Sequence, residues 1–150
     1  MYLFSFILTL FCIFVTIYSG LVNKNITKEV LEEIEMMVLE ECRIKFNIAE
    51  KVIDDYFNES VPLPVNEDFK CMLQCQDERL GYINNQIINW DLIRVVQNIY
   101  YKDYDNSKKY LEVVDNCEQK GVVETENSCD INFQITECFR KQYIEQGLQW

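Results

Sequence analysis

The stretch from Asn66 to Gly81 reads NEDFKCMLQCQDERLG and predicts a central helix of the fold. Asn66 is a favoured helix N-cap, acidic residues follow it in the first turn, and Gly81 is a favoured helix stop. Cys71 and Cys75 stand four residues apart on this helix, so both sulfurs leave one face. Each of the two cysteines is therefore better placed to form a disulfide with a different helix or segment than with the other.

The remaining cysteines place this helix in a disulfide framework. The chain of 150 residues has 7 cysteines; Cys12 lies in an apolar N-terminal segment, and beyond it stand Cys42, Cys71, Cys75, Cys117, Cys129 and Cys138. An even number in a secreted chain indicates disulfides, although the spacing alone leaves several connectivities open. A metal site is not expected, because the spacing contains no CxxC motif and the chain has no histidine.

The first twenty residues, MYLFSFILTLFCIFVTIYSG, are uncharged and mostly apolar. They predict a secretory signal peptide over residues 1–20, cleaved after Ser19 or Gly20, and a mature domain over residues 21–150. The alternative is a transmembrane anchor, which is disfavoured because no Lys/Arg cluster follows and the apolar run is at the lower limit for a span. We therefore expect a secreted, extracellular protein with no membrane association after cleavage.

Charge and composition exclude several classes of function. The chain has 14 Lys and Arg against 25 Asp and Glu, a formal charge of −11, and no histidine. Such a surface repels nucleic acid and anionic membranes. Without histidine, Ser-His-Asp and Cys-His chemistry is impossible, and no other nucleophile with its base stands out, so we expect neither an enzyme nor a cofactor. The acidic residues of the first predicted helix are expected to form a solvated face: Glu32, Glu33, Glu35, Glu40 and Glu41.

Apolar residues recur at helical spacing after residue 20, and few Gly or Pro residues interrupt them. Asn47 followed by Glu50 resembles a capping box and predicts a short helix through Tyr56. The segment from Val61 to Pro64 contains two prolines and predicts an extended connection. The sequence therefore predicts one all-α domain of six helices, whose other starts and ends are marked by Thr27, Asn66, Gly81, Asn89, Asn106, Gly121, Cys129 and Gln146.

The intervals between the cysteines carry a resemblance to a known family, and they read Cys42-x28-Cys71-x3-Cys75-x41-Cys117-x11-Cys129-x8-Cys138. This order resembles the six-cysteine signature of the insect odorant-binding proteins, the pheromone-binding and general odorant-binding group. The x3 and x8 intervals are the family's tightest features, and both match. The resemblance covers the whole predicted mature chain.

The resemblance implies a compact bundle of six helices around an internal apolar cavity. The family's bridges join the first cysteine to the third, the second to the fifth and the fourth to the sixth, which implies Cys42–Cys75, Cys71–Cys129 and Cys117–Cys138 here. The implied function is transport of small hydrophobic odorants or pheromones through extracellular fluid, with a chemosensory receptor as a further partner. We expect a monomer or a weak homodimer.

Candidate ligand contacts come from the inward faces of the later predicted helices, since a carrier needs a largely apolar cavity with a few orienting polar groups. The alternative for each is plain core packing. The hydroxyls of Tyr100, Tyr110 and Tyr143 are the candidate polar contacts, and no acidic residue falls on these faces, which favours neutral ligands. The candidate set is Trp90, Ile93, Val96, Tyr100, Tyr110, Val114, Ile135, Phe139 and Tyr143.

Further expectations concern the surface and the chain end. Asn25 and Asn58 begin N-glycosylation sequons. Leu148 and Trp150 are expected either to cover the pocket or to fray. Without histidine, any pH response must come from carboxylates, with Asp91, Asp130 and Glu137 as the candidates.

Two alternative functions stay open. The first is a scavenger or reservoir of ligands, of the same fold, in saliva, haemolymph or reproductive fluid. A secreted protein-interaction module without a ligand cavity is the other alternative. An enclosed cavity between the helices distinguishes the first two functions from the third.

Overall fold

A computed structural model of the protein describes residues 26–122 and 127–149. The predicted signal peptide, Asn25 and Trp150 lie outside the described residues. Within them the chain forms six helices and one short hairpin, which confirms the predicted all-α class. The elements are α1 (Lys28–Lys45), α2 (Glu50–Phe57), α3 (Glu67–Leu80), β1 (Ile83–Asn84), β2 (Ile87–Ile88), α4 (Trp90–Tyr101), α5 (Ser107–Lys120) and α6 (Ser128–Gln146).

Side-chain caps fix several of the helix ends that the sequence predicts. The Asn66 side chain accepts a hydrogen bond of 2.9 Å from the backbone N–H of Phe69, and Asn89 begins α4 in the same way. Gly81 ends α3 with φ +80°, a left-handed conformation that glycine adopts without a Cβ clash. The backbone N–H of Tyr82 then bonds back to the carbonyl of Asp77 at 2.9 Å, so the chain leaves α3 in a fixed direction.

The predicted capping box at Asn47 is wrong. Asn47 has φ +54° and lies in the turn after α1, whereas Ala49 precedes the first residue of α2 and makes no side-chain cap. The turn closes when the backbone N–H of Ile48 donates to the carbonyl of Arg43 at 3.0 Å. Asparagine tolerates the left-handed region, so here it ends one helix rather than beginning the next.

A hairpin of two strands, each two residues long, follows α3, and the sequence did not predict it. Ile83 pairs with Ile88 and Asn84 with Ile87, which leaves Asn85 and Gln86 at the tip, both with positive φ. Positive φ at both tip residues matches the twist of the flanking strands. The hairpin buries Ile83 and leaves Ile87 at 73% exposure, so it turns one apolar residue toward the helices.

Three disulfides connect the helices, and all three predicted pairings are confirmed. Cys42–Cys75 joins α1 to α3, Cys71–Cys129 joins α3 to α6, and Cys117–Cys138 joins α5 to α6. The two cysteines of α3 therefore bond to opposite neighbours, as their spacing of four residues indicates.

Two groups of buried side chains form the core. The α1/α3 cluster is centred on Val38, Phe69 and Met72, and Phe133 of α6 joins it. The α5/α6 cluster is formed by residues of those two helices with Ile83 and Leu148: Tyr110, Val113, Val114, Cys117, Ile131, Ile135, Cys138, Phe139 and Tyr143. Helix α3 packs against α1 and α6, and α5 packs against α4 and α6, so α6 contributes to both clusters. No helix of the described residues is both long and apolar enough to cross a membrane.

Candidate ligand-binding site

A cavity of about 130 Å³ lies where α3, α4, α6 and the start of the hairpin meet. It is smaller than the several hundred Å³ expected for a site of this kind. For comparison, an engineered apolar cavity of roughly 150 Å³ in another protein holds benzene. The lining side chains are Asp77, Tyr82, Ile83, Ile93, Val96, Ile135, Thr136 and Phe139.

Helical spacing explains the apolar walls of this cavity. Ile93 and Val96 stand three residues apart on α4, and Ile135 and Phe139 stand four apart on α6. Residues at these spacings share a helix face, so each helix presents two adjacent apolar side chains to the cavity. Ile83, the buried residue of the hairpin, closes the wall between them.

The polar part of the wall contains a carboxyl group. Oδ2 of Asp77 accepts a hydrogen bond of 2.6 Å from Nδ2 of Asn132, which is 1% exposed. Removal from water raises the pKa of Asp77 to about 7, and the nearby carboxyl of Glu35 adds to this rise. The predicted faces of the later helices contribute no acid, but α3 brings Asp77 to the cavity, so the argument for neutral ligands no longer holds. A sequence signal existed, because Asp77 lies four residues after Leu73 and three before Leu80, and both of these are buried.

Glu35 is a second acid near the cavity, and two tyrosine hydroxyls form hydrogen bonds to it. The hydroxyls of Tyr82 and Tyr100 donate to the two carboxylate oxygens of Glu35, which connects α1 to the residue before the hairpin and to α4. Burial raises the pKa of Glu35, so these donors compensate only part of the loss of water. The prediction that Glu35 belongs to a solvated face is wrong, whereas the other acids predicted for that face are exposed, namely Glu32, Glu33, Glu40 and Glu41.

Four of the nine candidate residues from the sequence are brought together around this cavity, Ile93, Val96, Ile135 and Phe139. The other five lie elsewhere. Tyr110, Val114 and Tyr143 are buried in the α5/α6 cluster, and Trp90 packs against it. Tyr100 is engaged with Glu35, and the Tyr143 hydroxyl donates to Oε1 of Gln97 at 2.6 Å. The lining residues that the sequence did not predict are Asp77, Tyr82, Ile83 and Thr136.

The candidate pH-responsive acids lie away from the cavity wall. Asp91 and Glu137 are exposed, and Asp130 accepts from Nζ of Lys70 at 2.7 Å. Leu148 is buried at 4% exposure against the α5/α6 cluster without lining the cavity. Among the described residues, Asp77 is thus the acid that lines the cavity.

A second concavity, an open groove of about 740 Å³, lies on the surface between the segment before α3 and the end of α6. Its exposed apolar side chains include Val65 and Ile144. The buried guanidinium of Arg140 fixes this segment by donating to backbone carbonyls of Tyr56, Asn58 and Val61 at 3.2, 2.5 and 2.5 Å.

Two further features bear on modification and metal binding. Asn58 is exposed, and its side chain accepts from the backbone N–H of Ser60 at 3.0 Å, so the second predicted sequon lies in a surface turn.

Glu67, Cys71 and Cys129 lie close enough to suggest a metal site. Both sulfurs are bonded to each other, however, and a disulfide does not supply thiolate ligands.

The fold and cavity together define a small helical domain that is held by three disulfides and has a largely apolar cavity between its helices. The sequence model of the PBP/GOBP family matches residues 23–142. The chain therefore belongs to this family, the odorant- and pheromone-binding proteins of insects, whose members bind small hydrophobic ligands. Comparisons with curated proteins and with solved structures gave no match.

Proposed function

We propose that this protein is a secreted carrier that binds small hydrophobic molecules in its internal cavity and transports them through extracellular fluid. The observation that carries the proposal is the largely apolar cavity of about 130 Å³ between α3, α4 and α6, in a chain of the PBP/GOBP family. Its walls of Ile83, Ile93, Val96, Ile135 and Phe139 offer apolar contact to a ligand. Burial of apolar surface supplies about 25 cal/mol per Å², which favours transfer of such a ligand from water.

The cavity volume indicates the size of ligand in this conformation. Because roughly 150 Å³ is enough for benzene, a single ring or a short chain fits here better than a long-chain lipid. The predicted signal peptide over residues 1–20 and the disulfides support an extracellular location, since disulfides persist in oxidising compartments. Odorant transport and a reservoir role in another secreted fluid share this binding step and differ in the tissue of expression.

A variant whose cavity is filled by a larger side chain tests whether ligands bind there. Val96→Phe adds a ring inside the cavity, and we expect it to weaken displacement of a fluorescent apolar probe by small volatiles at least tenfold. Val65→Phe makes the same change at a surface site with 71% exposure and should leave displacement unchanged. Circular dichroism establishes that both variants are folded. Unaltered displacement in a folded Val96→Phe variant would contradict a binding site in this cavity.

The alternative of a protein-interaction module has the open groove beside Val65 and Ile144 in its favour. A module of this kind needs no small ligand. Under it, the wild-type protein would take up neither the probe nor the volatiles.

A further inference from the structure

The carboxyl group in the cavity wall forms no ion pair with any described residue. Asp77 accepts one hydrogen bond from the neutral amide of Asn132. Among the described residues, every Lys or Arg that forms an ion pair does so with another acid, and none pairs with Asp77. A carboxylate in apolar surroundings is costly without a cation, because the interior solvates charge poorly.

The groups around Asp77 do not supply this cation. Glu35 on α1 is itself an acid, and its charge adds to the rise in the pKa of Asp77. Tyr82, before the hairpin, donates its hydroxyl to Glu35, and Asn132 on α6 is neutral. On α2, the pKa of Tyr56 is raised mainly by burial and further by the charges of Asp77 and Glu35, while the buried guanidinium of Arg140 on α6 lowers it. Arg140 donates to backbone carbonyls instead of to Asp77, so Glu35 is the charged group that acts on this carboxyl.

We propose that the cavity binds small primary amines in their ammonium form, with the ammonium group against Asp77 and Thr136 and the hydrocarbon part against Ile93, Val96 and Phe139. This inference rests on the proposed carrier function and names the ligand class of the same site. An ammonium group has three donors, and the Asp77 carboxylate and the Thr136 hydroxyl both accept. The cavity of about 130 Å³ suits one ring with a short amine arm.

A neutral alcohol is the competing ligand, and the contact with Asn132 decides against it. Nδ2 of Asn132 donates to Asp77 Oδ2, and this hydrogen bond favours the ionised carboxyl. An ionised carboxyl in the wall attracts an ammonium group strongly, whereas it offers a hydroxyl group only one hydrogen bond. The amine is thus preferred wherever Asp77 is ionised.

Calorimetric titration with benzylamine and benzyl alcohol tests this preference, since the two probes share one ring and differ in the polar group. At pH 8 we expect the protein expressed from the full chain to bind benzylamine at least tenfold more tightly than benzyl alcohol. At pH 5, where Asp77 takes up a proton, the preference should shrink severalfold. Asp77→Asn should abolish it at both pH values.

Two further variants complete the test. Glu78→Gln changes the adjacent exposed acid of α3 and should leave the preference unchanged. Thr136→Val keeps the carboxylate and should weaken benzylamine binding severalfold while the preference for it persists, which gives a result even if Asp77→Asn does not fold. Equal or tighter binding of benzyl alcohol at pH 8 would overturn the amine inference and leave the carrier function standing. Binding of neither probe would overturn both.

Discussion

Nδ2 of Asn132 lies 2.6 Å from Oδ2 of Asp77, and this contact joins α6 to α3 at the cavity wall. The same amide nitrogen lies 3.5 Å from the carbonyl oxygen of Leu73. Oδ1 of Asn132 is buried and has no partner among the described residues. Rotating the amide by half a turn would place this oxygen against the carboxyl, so the orientation of Asn132 is fixed by Asp77.

Asp77 makes stability depend on pH in a direction unusual for an acid. Its pKa is about 7 in the folded protein and ~3.9 in an unfolded chain, so the folded state holds the proton more tightly. The contribution of this group to the free energy of unfolding is fully present below about pH 4. It falls by up to about 4 kcal/mol as the pH rises through 7. Asp77→Asn should therefore raise the melting temperature at pH 8 relative to the wild type and change it little at pH 4.

Thermal melts followed by circular dichroism at both pH values check this prediction, with Glu78→Gln as the matched control. A melting temperature for Asp77→Asn at pH 8 that falls below the wild-type value would show that the ionised carboxyl stabilises the fold instead.

Tyr100 stabilises the fold through Glu35. Tyr100→Phe removes one of two donors from a partly buried carboxylate, and such a loss costs about 1–3 kcal/mol. Tyr104→Phe removes a hydroxyl from an exposed ring just beyond the end of α4 and should change stability by less than about 0.5 kcal/mol. Urea unfolding of both variants measures the difference. Equal effects at the two positions would mean that the Glu35 contact contributes nothing.

Arg140 holds the segment between α2 and α3. Arg140→Met removes a buried guanidinium and leaves the carbonyls of Tyr56, Asn58 and Val61 without these donors. We expect faster limited proteolysis within residues 57–66 and a stability loss of about 2–4 kcal/mol. Lys141→Met alters the adjacent exposed cation and should leave the cleavage rate at its wild-type value. Cleavage at the same rate in both variants would argue against this role.

The disulfide between Cys71 and Cys129 closes the longest of the three loops, 58 residues, against 21 for Cys117–Cys138. In the loop-entropy account, replacing each pair by serine costs about 4 and about 3 kcal/mol respectively. Denaturant unfolding of the two double variants tests this order. A larger loss for the shorter loop would show that native-state packing, rather than chain entropy, sets the contribution.

Local sequence signals account for what was predicted correctly. Asn66 and Asn89 bond the first turns of their own helices, and the apolar pairs Ile93–Val96 and Ile135–Phe139 follow from spacing within one helix. Each of these features is decided by residues a few positions apart, so the sequence pattern contains it.

The missed features depend on partners distant in the sequence. Glu35 has the neighbours of a solvated helix face, but its donors Tyr82 and Tyr100 stand 47 and 65 residues away. Asp77 is absent from the predicted cavity residues, although its spacing from Leu73 and Leu80 indicated burial; its partner Asn132 is 55 residues away. The hairpin tip at Asn85 lacks the glycine that marks such turns.

Methyl NMR of isoleucine-labelled protein tests the central claim most directly, because isoleucines line the cavity and also stand on the surface. During titration with benzyl alcohol, we predict saturable shifts at the cavity methyl groups of Ile83, Ile93 and Ile135. The exposed methyl groups of Ile44 and Ile87 serve as controls and should not move. Saturable shifts confined to Ile144, beside the open groove, or no saturable shift at the three cavity residues, would contradict a ligand site in the cavity.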